Sequence, residues 1–236
     1  MTIKAGSFSR IDVYESCALR AKFAFVDKIP EPERPLPPGK TEHANDRGSR
    51  IHEHADRYVK GLEDTQLPEM AKFATEFERL RALHDEGRVL SEEMWCFDES
   101  WAVCGDRDWD AIKFRIKTDA TVFLTDTAVV VIDFKTGKRW GNEVKHAQQA
   151  QLYALGVALR YEEIETINTE LWYLDLDEMH PMTMRRDQAL RFFASWDTRN
   201  QALMACDDFQ PRPSKDACRW CPYSKKGTGH CTIGVV

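Results

Sequence analysis

The sequence predicts an α/β fold in which helices flank one mixed central sheet, and three observations support this class. Apolar residues recur at helical spacing in the first third of the chain and again after residue 143. Between these helical regions, three segments rich in β-branched and aromatic residues follow one another. A further segment of this kind follows the next helix. We expect the whole chain, residues 1–236, to form a single domain.

The first part of the chain predicts three helices, each with an apolar stripe. Ser7 or Ser9 can cap the first of them, because a serine side chain can accept a backbone hydrogen bond at a helix start. The predicted ranges are about 7–25, 44–60 and 69–86. Five prolines between residues 29 and 40 predict an irregular linker after the first helix.

The spacing of apolar residues then changes to that of strands. Strands are predicted at about 89–97, 114–124 and 128–135, with a hairpin loop at 106–110. A helix at about 143–161, a strand at 169–176 and a helix at 187–206 complete the predicted body. The tail after residue 209 is rich in proline, glycine and cysteine, so it is too irregular to fold by burial alone.

Composition excludes several classes of protein. Hydrophobic residues make up 42% and charged residues 31%, which is typical of a soluble globular chain. No segment approaches the ~20 apolar residues that span a bilayer, and the N-terminus has no apolar signal segment. We therefore expect a cytoplasmic protein with no membrane partner. The net charge of −6 disfavours a protein that coats nucleic acid passively, although an enzyme can gather carboxylates around metal ions.

Two carboxylates and a lysine interrupt the central predicted strands. Asp133 and Lys135 end a strand of β-branched residues, and their side chains point to the same face, roughly 7 Å apart. Asp119 interrupts the preceding strand. Two inward carboxylates on neighbouring strands form an oxygen site suited to Mg²⁺ or Mn²⁺, beside which a lysine can orient water for phosphodiester hydrolysis. The alternative is an ion pair at a strand end.

Four motifs follow one another in the order typical of a known family. They are Gly48-Ser49-Arg50-Ile51-His52, then Asp119, then Asp133-Phe134-Lys135, then Gln149-Ala150-Gln151-Leu152-Tyr153. In this order the chain resembles the RecB-like branch of the PD-(D/E)xK nuclease superfamily. The resemblance covers nearly the whole chain and implies a restriction-endonuclease-like mixed central sheet.

The resemblance also implies roles for these residues. His52, Asp119, Asp133 and the backbone carbonyl of Phe134 would hold Mg²⁺ or Mn²⁺. Lys135 would position or activate the attacking water, and Gln149 and Tyr153 would steady the lysine and the substrate phosphate. Glu93, on the first predicted strand, is a further acidic candidate, although an exposed glutamate on a strand is common.

Seven cysteines are distributed unevenly, and three of them crowd the last nineteen residues. Cys218 and Cys221 form a CxxC turn that can present two thiolates to one metal, and Cys231 follows. Candidates for a fourth ligand are His230, Cys206 and the distant Cys17. An odd number of cysteines in a chain expected to be cytoplasmic argues against a disulfide framework.

The placement of Cys17 resembles that of RecB-like nucleases with an iron–sulfur cluster, including the AddB subunit and CRISPR-adaptation exonucleases. In this sequence the resemblance implies a 4Fe–4S cluster held by Cys17, Cys218, Cys221 and Cys231. Residues 1–40 and 207–236 would then form a cluster region around a nuclease core at 41–206. Ala18 and the long spacing before Cys231 depart from the usual pattern, which leaves a structural Zn²⁺ site with His230 as the alternative.

Together these features predict a metal-dependent DNA exonuclease that acts in recombination, repair or replication. The resemblance includes phage-encoded nucleases, for which the location would be the cytoplasm of the bacterial host. Expected partners are DNA that is single-stranded or has free ends, recombination or replication proteins, and a second copy of the chain. The alternatives are a structure-specific endonuclease and a non-catalytic DNA-binding module with a structural zinc site.

Overall fold

The computed structural model describes residues 2–33, 35–137 and 139–235, and it confirms the predicted α/β class. The strands are β1 (Gly6–Ser7), β2 (Val89–Phe97), β3 (Val103–Cys104), β4 (Phe114–Thr125), β5 (Ala128–Lys135), β6 (Thr166–Tyr173) and β7 (Glu178–Arg185). The α-helices are α1 (Phe8–Ser16), α2 (Ala18–Ala21), α3 (Ala44–Val59), α4 (Ala74–Asp85), α5 (Glu143–Arg160), α6 (Arg186–Leu190), α7 (Phe193–Ala205) and α8 (Lys215–Arg219). A π-helix at Lys22–Val26 follows α2, and a 3₁₀ helix at Pro68–Phe73 precedes α4. None of the helices in these ranges is long and apolar enough to cross a membrane.

The strands of the described chain form one mixed sheet in the order β3-β2-β4-β5-β6-β7, and β1 pairs with the start of β4. β2, β4 and β5 are antiparallel neighbours, whereas β5 and β6 run parallel because the chain crosses over through α5. The mixed sheet is therefore as predicted. Its central strands, β4 and β5, are those that carry the predicted carboxylates.

Helices pack on both faces of the sheet and create two apolar cores. On one face, α1, α5 and α7 cover a core that includes Ile11, Trp95, Leu155 and Trp196. On the other face, α3 and α4 bury a smaller core around Phe77. Because the sheet is covered on both faces, its central strands are almost continuously buried.

The first predicted helix is interrupted rather than continuous. It ends at Ser16, and Cys17 adopts an extended backbone conformation before α2 begins. The Ser7 side chain accepts the N–H of Arg10, so of the two predicted candidates, Ser7 and Ser9, Ser7 is the N-terminal cap. The backbone N–H of Arg212 lies 3.5 Å from the Cys17 sulfur, which places this break against the C-terminal tail.

Strand β7 was missed by sequence reasoning. Pro181 lies in its middle, and exposed and half-buried residues alternate along most of it. β7 is an edge strand in the described sheet, where a residue without a backbone N–H is tolerated. The sequence signal of an edge strand is weak because only one side of its backbone is paired and only one face is buried.

Candidate active site

The candidate active site lies where β4 and β5 separate. Their last paired residues toward this end are Ala120 and Ile132, so Asp119 and Asp133 are the next residues on each strand. Asp119 Oδ2 accepts the backbone N–H of Phe134 at 2.6 Å. This side-chain hydrogen bond links β4 to β5 where the two strands separate. Both carboxylates are buried, at 7% and 4% exposure respectively, so their charges need partners.

Asp119 has its principal polar partner on α3. His52 Nδ1 lies 3.0 Å from Asp119 Oδ1, and the histidine ring also contacts the Phe134 ring edge-on. Helix α3 approaches closely because residue 48 is glycine: a Cβ at that position would lie 3.2 Å from Thr136 Oγ1. The predicted Gly48 and His52 motif thus brings an imidazole to the end of the central strands.

Asp133 has its polar partners on α5. Its Oδ1 accepts the Tyr153 hydroxyl at 2.6 Å and the Gln149 amide at 3.3 Å. Gln149 also donates to the Tyr153 oxygen at 2.7 Å and accepts from Lys135 Nζ at 2.7 Å. Gln149 and Tyr153 are i and i+4 on one helix, so one helical face orients both the carboxylate and the lysine.

The second oxygen of Asp133 is less well satisfied. Lys135 Nζ lies 2.5 Å from Asp133 Oδ2, yet this buried oxygen has no hydrogen bond of regular geometry within the described chain. The two observations agree if the ammonium group approaches the oxygen at a poor angle while it donates to Gln149. A buried carboxylate oxygen in this state is available to a cation.

Glu92 is a further acidic residue of the site, and sequence reasoning missed it. One ligand atom from each of His52, Glu92 and Asp119 lies within 4.8 Å of the other two. Glu92 forms an ion pair with Lys117 and has a left-handed backbone with φ of 55° inside β2. The neighbouring Glu93 bonds to Trp95 and Arg160 and does not line this pocket.

Burial and mutual repulsion shift the pKa values of the acidic groups. Burial, together with the Asp133 charge, raises the pKa of Asp119, although His52 opposes this change. Burial likewise raises the pKa of Glu92 against the effect of Lys117. Burial disfavours the charged form of His52, but the hydrogen bond and charge of Asp119 outweigh it and raise the pKa. The concentrated negative charge explains why a positive partner is favoured here.

Burial and the charges of Asp133 and Asp119 hold the pKa of Tyr153 well above its usual range. Tyr153 is therefore a neutral hydrogen-bond donor to Asp133.

All the predicted catalytic side chains line one open pocket of about 620 Å³. Its lining includes His52, Asp119, Asp133, Phe134, Lys135, Gln149 and Tyr153, and it adds Glu92 and Lys117 to the predicted set. The structure places the Phe134 side chain in the apolar core, where its ring packs 5.0 Å from that of Phe77, while its N–H serves Asp119.

The four cysteines predicted to share a cluster line one cavity between the two ends of the chain. Cys17 comes from the break after α1, Cys218 from α8, and Cys221 and Cys231 from the tail. The ends are also tied by the Tyr223 hydroxyl, which donates to the Ile29 carbonyl at 3.1 Å. All four thiols are free.

The two other ligand candidates lie outside this cavity. His230 is exposed, and its Nδ1 lies 2.7 Å from Thr228 Oγ1. Cys206 lies 3.7 Å from the carboxylate of Asp208. Neither residue is among those that line the cysteine cavity.

Two carboxylates and a lysine lie where the central strands of this α/β sheet separate. This arrangement is typical of a nuclease. The family model of the PD-(D/E)XK nuclease superfamily matches residues 5–225, and the chain belongs to this superfamily.

Comparisons with solved structures find distant similarity. A putative exonuclease from Eubacterium rectale is 12% identical with a TM-score of 0.49, over 94% of this chain and 88% of that chain. The alkaline exonuclease LHK-Exo from Laribacter hongkongensis is 16% identical with a TM-score of 0.33, over 86% of this chain and 87% of that chain. LHK-Exo in complex with dAMP is 14% identical with a TM-score of 0.35, over 97% of this chain and 95% of that chain. No curated protein matches the sequence.

Proposed function

We propose that this nuclease is a divalent-metal-dependent deoxyribonuclease that acts as an exonuclease on DNA ends in recombination, repair or replication. One observation carries the proposal: Asp119, Asp133 and Lys135 line the same open pocket. Two carboxylates beside a lysine form the chemical apparatus for phosphodiester hydrolysis. Burying these charged side chains together lowers the stability of the fold, whereas apolar side chains in the same place would not.

The donor set fits Mg²⁺ or Mn²⁺. Carboxylate oxygens of Asp119 and Glu92 lie close to an imidazole nitrogen of His52, and the buried Oδ2 of Asp133 lacks a regular hydrogen bond. Hard oxygen donors with one imidazole suit these ions. His52, Glu92, Asp119 and Asp133 would hold the cation. When bound, it would neutralise negative charge that develops at the scissile phosphate.

The protein's own groups orient the reacting atoms. Gln149 accepts a hydrogen bond from Lys135 and so aims the ammonium group, whose remaining protons can hold a water against the phosphorus. Tyr153 restrains Asp133 through Oδ1, while Oδ2 has no regular hydrogen bond within the described chain. Because Gln149 bonds to Lys135, Asp133 and Tyr153, it couples the positions of all three.

We propose that Cys17, Cys218, Cys221 and Cys231 hold a 4Fe–4S cluster that fastens residues 1–40 and 207–236 around the core at 41–206. Four thiols that line one cavity support this ligand set. Burial raises the pKa of the Cys221 thiol, and the nearby Cys231 and Cys17 add to this effect. A metal centre would offset the cost of forming these thiolates together.

The position of His230 disfavours the zinc alternative. His230, the proposed zinc ligand, lies outside the cavity.

Cleavage of matched DNA substrates tests the proposed activity. Linear single-stranded DNA labelled at either end, the same strand circularised, and an RNA of the same sequence are each incubated with Mg²⁺ or Mn²⁺. We expect mononucleotides or short products from the linear DNA, an intact circle, and no reaction in EDTA. Cutting of the circle would replace the exonuclease with an endonuclease, and cleavage of RNA alone would overturn the choice of DNA.

A further inference from the structure

A second cleft, distinct from the active-site pocket and of similar size, lies beside the start of β4. It is lined by Lys4, Arg10, Lys28, Trp109 and Arg115, which we call the basic cleft. Asp110 is the one acidic side chain among the residues that line it. None of the four cations takes part in an ion pair within the described chain.

The basic cleft gathers positive charge in a chain that is acidic overall. The chain carries a net charge of −6, and most arginines described pair with a carboxylate. In the basic cleft, Arg10 is half-buried and donates to the Ala5 carbonyl, and burial together with the charge of Arg115 lowers its pKa. Four cations held together beside a single carboxylate attract an anion of several charges.

The cleft also exposes an aromatic platform. Trp109 is 66% exposed, and the Arg115 guanidinium lies 5.3 Å from the centre of its ring. Each base presents a flat face, so an exposed tryptophan beside phosphate-binding cations matches a single nucleic-acid strand. An inorganic anion or a peptide carboxylate would not require the indole ring.

The basic cleft adjoins the active-site pocket along β4. Arg115 and Lys117 are two residues apart on this strand, so their side chains project from the same face about 7 Å apart. Arg115 lines the basic cleft, and Lys117 lines the active-site pocket. A single nucleic-acid strand that leaves the pocket past Lys117 would therefore meet Arg115 and then Trp109.

We propose that the basic cleft binds the single-stranded DNA that adjoins the scissile phosphate, with Arg115 and Lys117 contacting its backbone and Trp109 stacking on a base. This inference rests on the proposed DNase function and extends it by a second subsite. It predicts that the enzyme prefers single strands that extend several nucleotides beyond the cleavage site, because a duplex cannot present an unstacked base to Trp109.

Binding tests this subsite without cleavage. Trp109→Ala and Arg115→Ala are each placed in an Asp133→Asn background, and the dissociation constant of a labelled single strand of about 12 nucleotides is measured by fluorescence anisotropy. We expect each change to weaken binding roughly tenfold or more. Arg115→Ala should also reduce the slope of log Kd against log salt by about 0.7, as expected for one lost phosphate contact.

Matched controls come from the same chain. Trp220 is 67% exposed and is likewise stacked by an arginine, Arg219, but it does not line the basic cleft. Arg191 is exposed and pairs with Asp187. Trp220→Ala and Arg191→Ala should leave the dissociation constant within about twofold of the parent. Equal losses in the controls and the cleft variants would overturn the proposal.

Cleavage of a dinucleotide and of the longer strand separates this inference from the proposed function. In variants with Asp133 intact, Trp109→Ala and Arg115→Ala should lower the ratio of kcat/KM for the strand over that for the dinucleotide. If the wild type cleaves neither substrate, the DNase function itself fails. If it cleaves both and the ratio is unchanged in the variants, only the basic cleft is wrong. Competition by a mononucleotide as strong as that by the longer strand would also overturn the strand assignment.

Discussion

Asp119 Oδ2 accepts the backbone N–H of Phe134 at 2.6 Å and thereby joins β4 to β5 just beyond their last backbone pair. This hydrogen bond keeps the two strands close at the point where their backbone hydrogen bonds end. Asp133 and Lys135, on either side of Phe134, then face the pocket. This side-chain bond therefore links the two strands at the point where they present the candidate catalytic groups.

Asp133→Asn should abolish cleavage while the protein stays folded. Asparagine keeps a side-chain oxygen for Tyr153 but removes the negative charge that would bind the cation. We expect the rate to fall by several orders of magnitude, measured with Mg²⁺ and with Mn²⁺ on linear DNA. Circular dichroism and the melting temperature serve as folding controls, and cleavage near the wild-type rate would refute the assignment of this carboxylate.

Lys135→Ala should lower turnover far more than metal affinity. A protonated lysine cannot ligate a cation, so its contribution is to water or phosphate. We expect kcat to fall by roughly 10²–10⁴-fold, the usual range for a lost proton-transfer or orienting group. Calorimetric titration with Mn²⁺ should give a dissociation constant close to that of the wild type. A change mainly in that constant would contradict this role.

Glu92→Gln should weaken Mn²⁺ binding by roughly tenfold or more, because the glutamine has lost an anionic oxygen beside His52 and Asp119. The measurement is calorimetric and does not depend on activity. Glu93→Gln is the matched control, since Glu93 is the next residue on β2 but bonds to Trp95 and Arg160. Equal effects of the two substitutions would remove Glu92 from the cation site.

Cys17→Ser should deplete iron and destabilise both ends of the chain together. If four thiols hold the cluster, the loss of one opens a loop that contains the entire core. We expect lower iron and sulfide content, weaker absorbance near 400 nm and a lower melting temperature. His230→Ala and Cys206→Ser should be nearly silent. A wild type that contains zinc and no iron, with a large effect of His230→Ala, would establish the zinc site instead.

His146 should make stability depend on pH in the weakly acidic range. Burial, with the nearby charge of Lys135, lowers its pKa to about 4, and its Nδ1 lies 2.7 Å from the Tyr173 hydroxyl. The unfolded chain has a histidine pKa of about 6.5, so between these values it binds a proton that the folded chain excludes. The contribution to stability is complete above about pH 6.5 and declines as pH falls toward 4.

His146→Gln removes this titration and keeps a polar side chain for Tyr173. Urea denaturation at several pH values should show a flatter loss of unfolding free energy between neutral and weakly acidic pH than in the wild type. The comparison between the two proteins cancels the carboxylates that titrate in both. Parallel curves would show that His146 does not carry this pH dependence.

Sequence reasoning succeeded where periodicity and spacing carry the information. The alternation along β5 placed Asp133 and Lys135 on one face, and the i, i+4 spacing placed Gln149 beside Tyr153, as their hydrogen bonds now show. His52 could be included only through the order of the motifs, because a lone histidine on a helix has no spacing signal of its own.

Sequence reasoning failed where the backbone departs from regular geometry. Strict alternation could not distinguish Glu92 from Glu93, and the left-handed backbone at Glu92 decides which of them belongs to the pocket. The extended conformation of Cys17 similarly divides a helix whose apolar pattern is continuous. These choices depend on contacts with distant segments, such as Arg212 at Cys17.

By itself, the sequence determined the α/β class, the central strands and the polar motifs they carry, because those properties follow from local periodicity. Only the tertiary structure decided which groups meet. It brought Cys17 to the cavity of the C-terminal cysteines and gathered Lys4, Arg10, Lys28, Trp109 and Arg115 from separate segments into one cleft. Contacts between residues far apart in the chain depend on how helices and strands pack, and no local pattern encodes that packing.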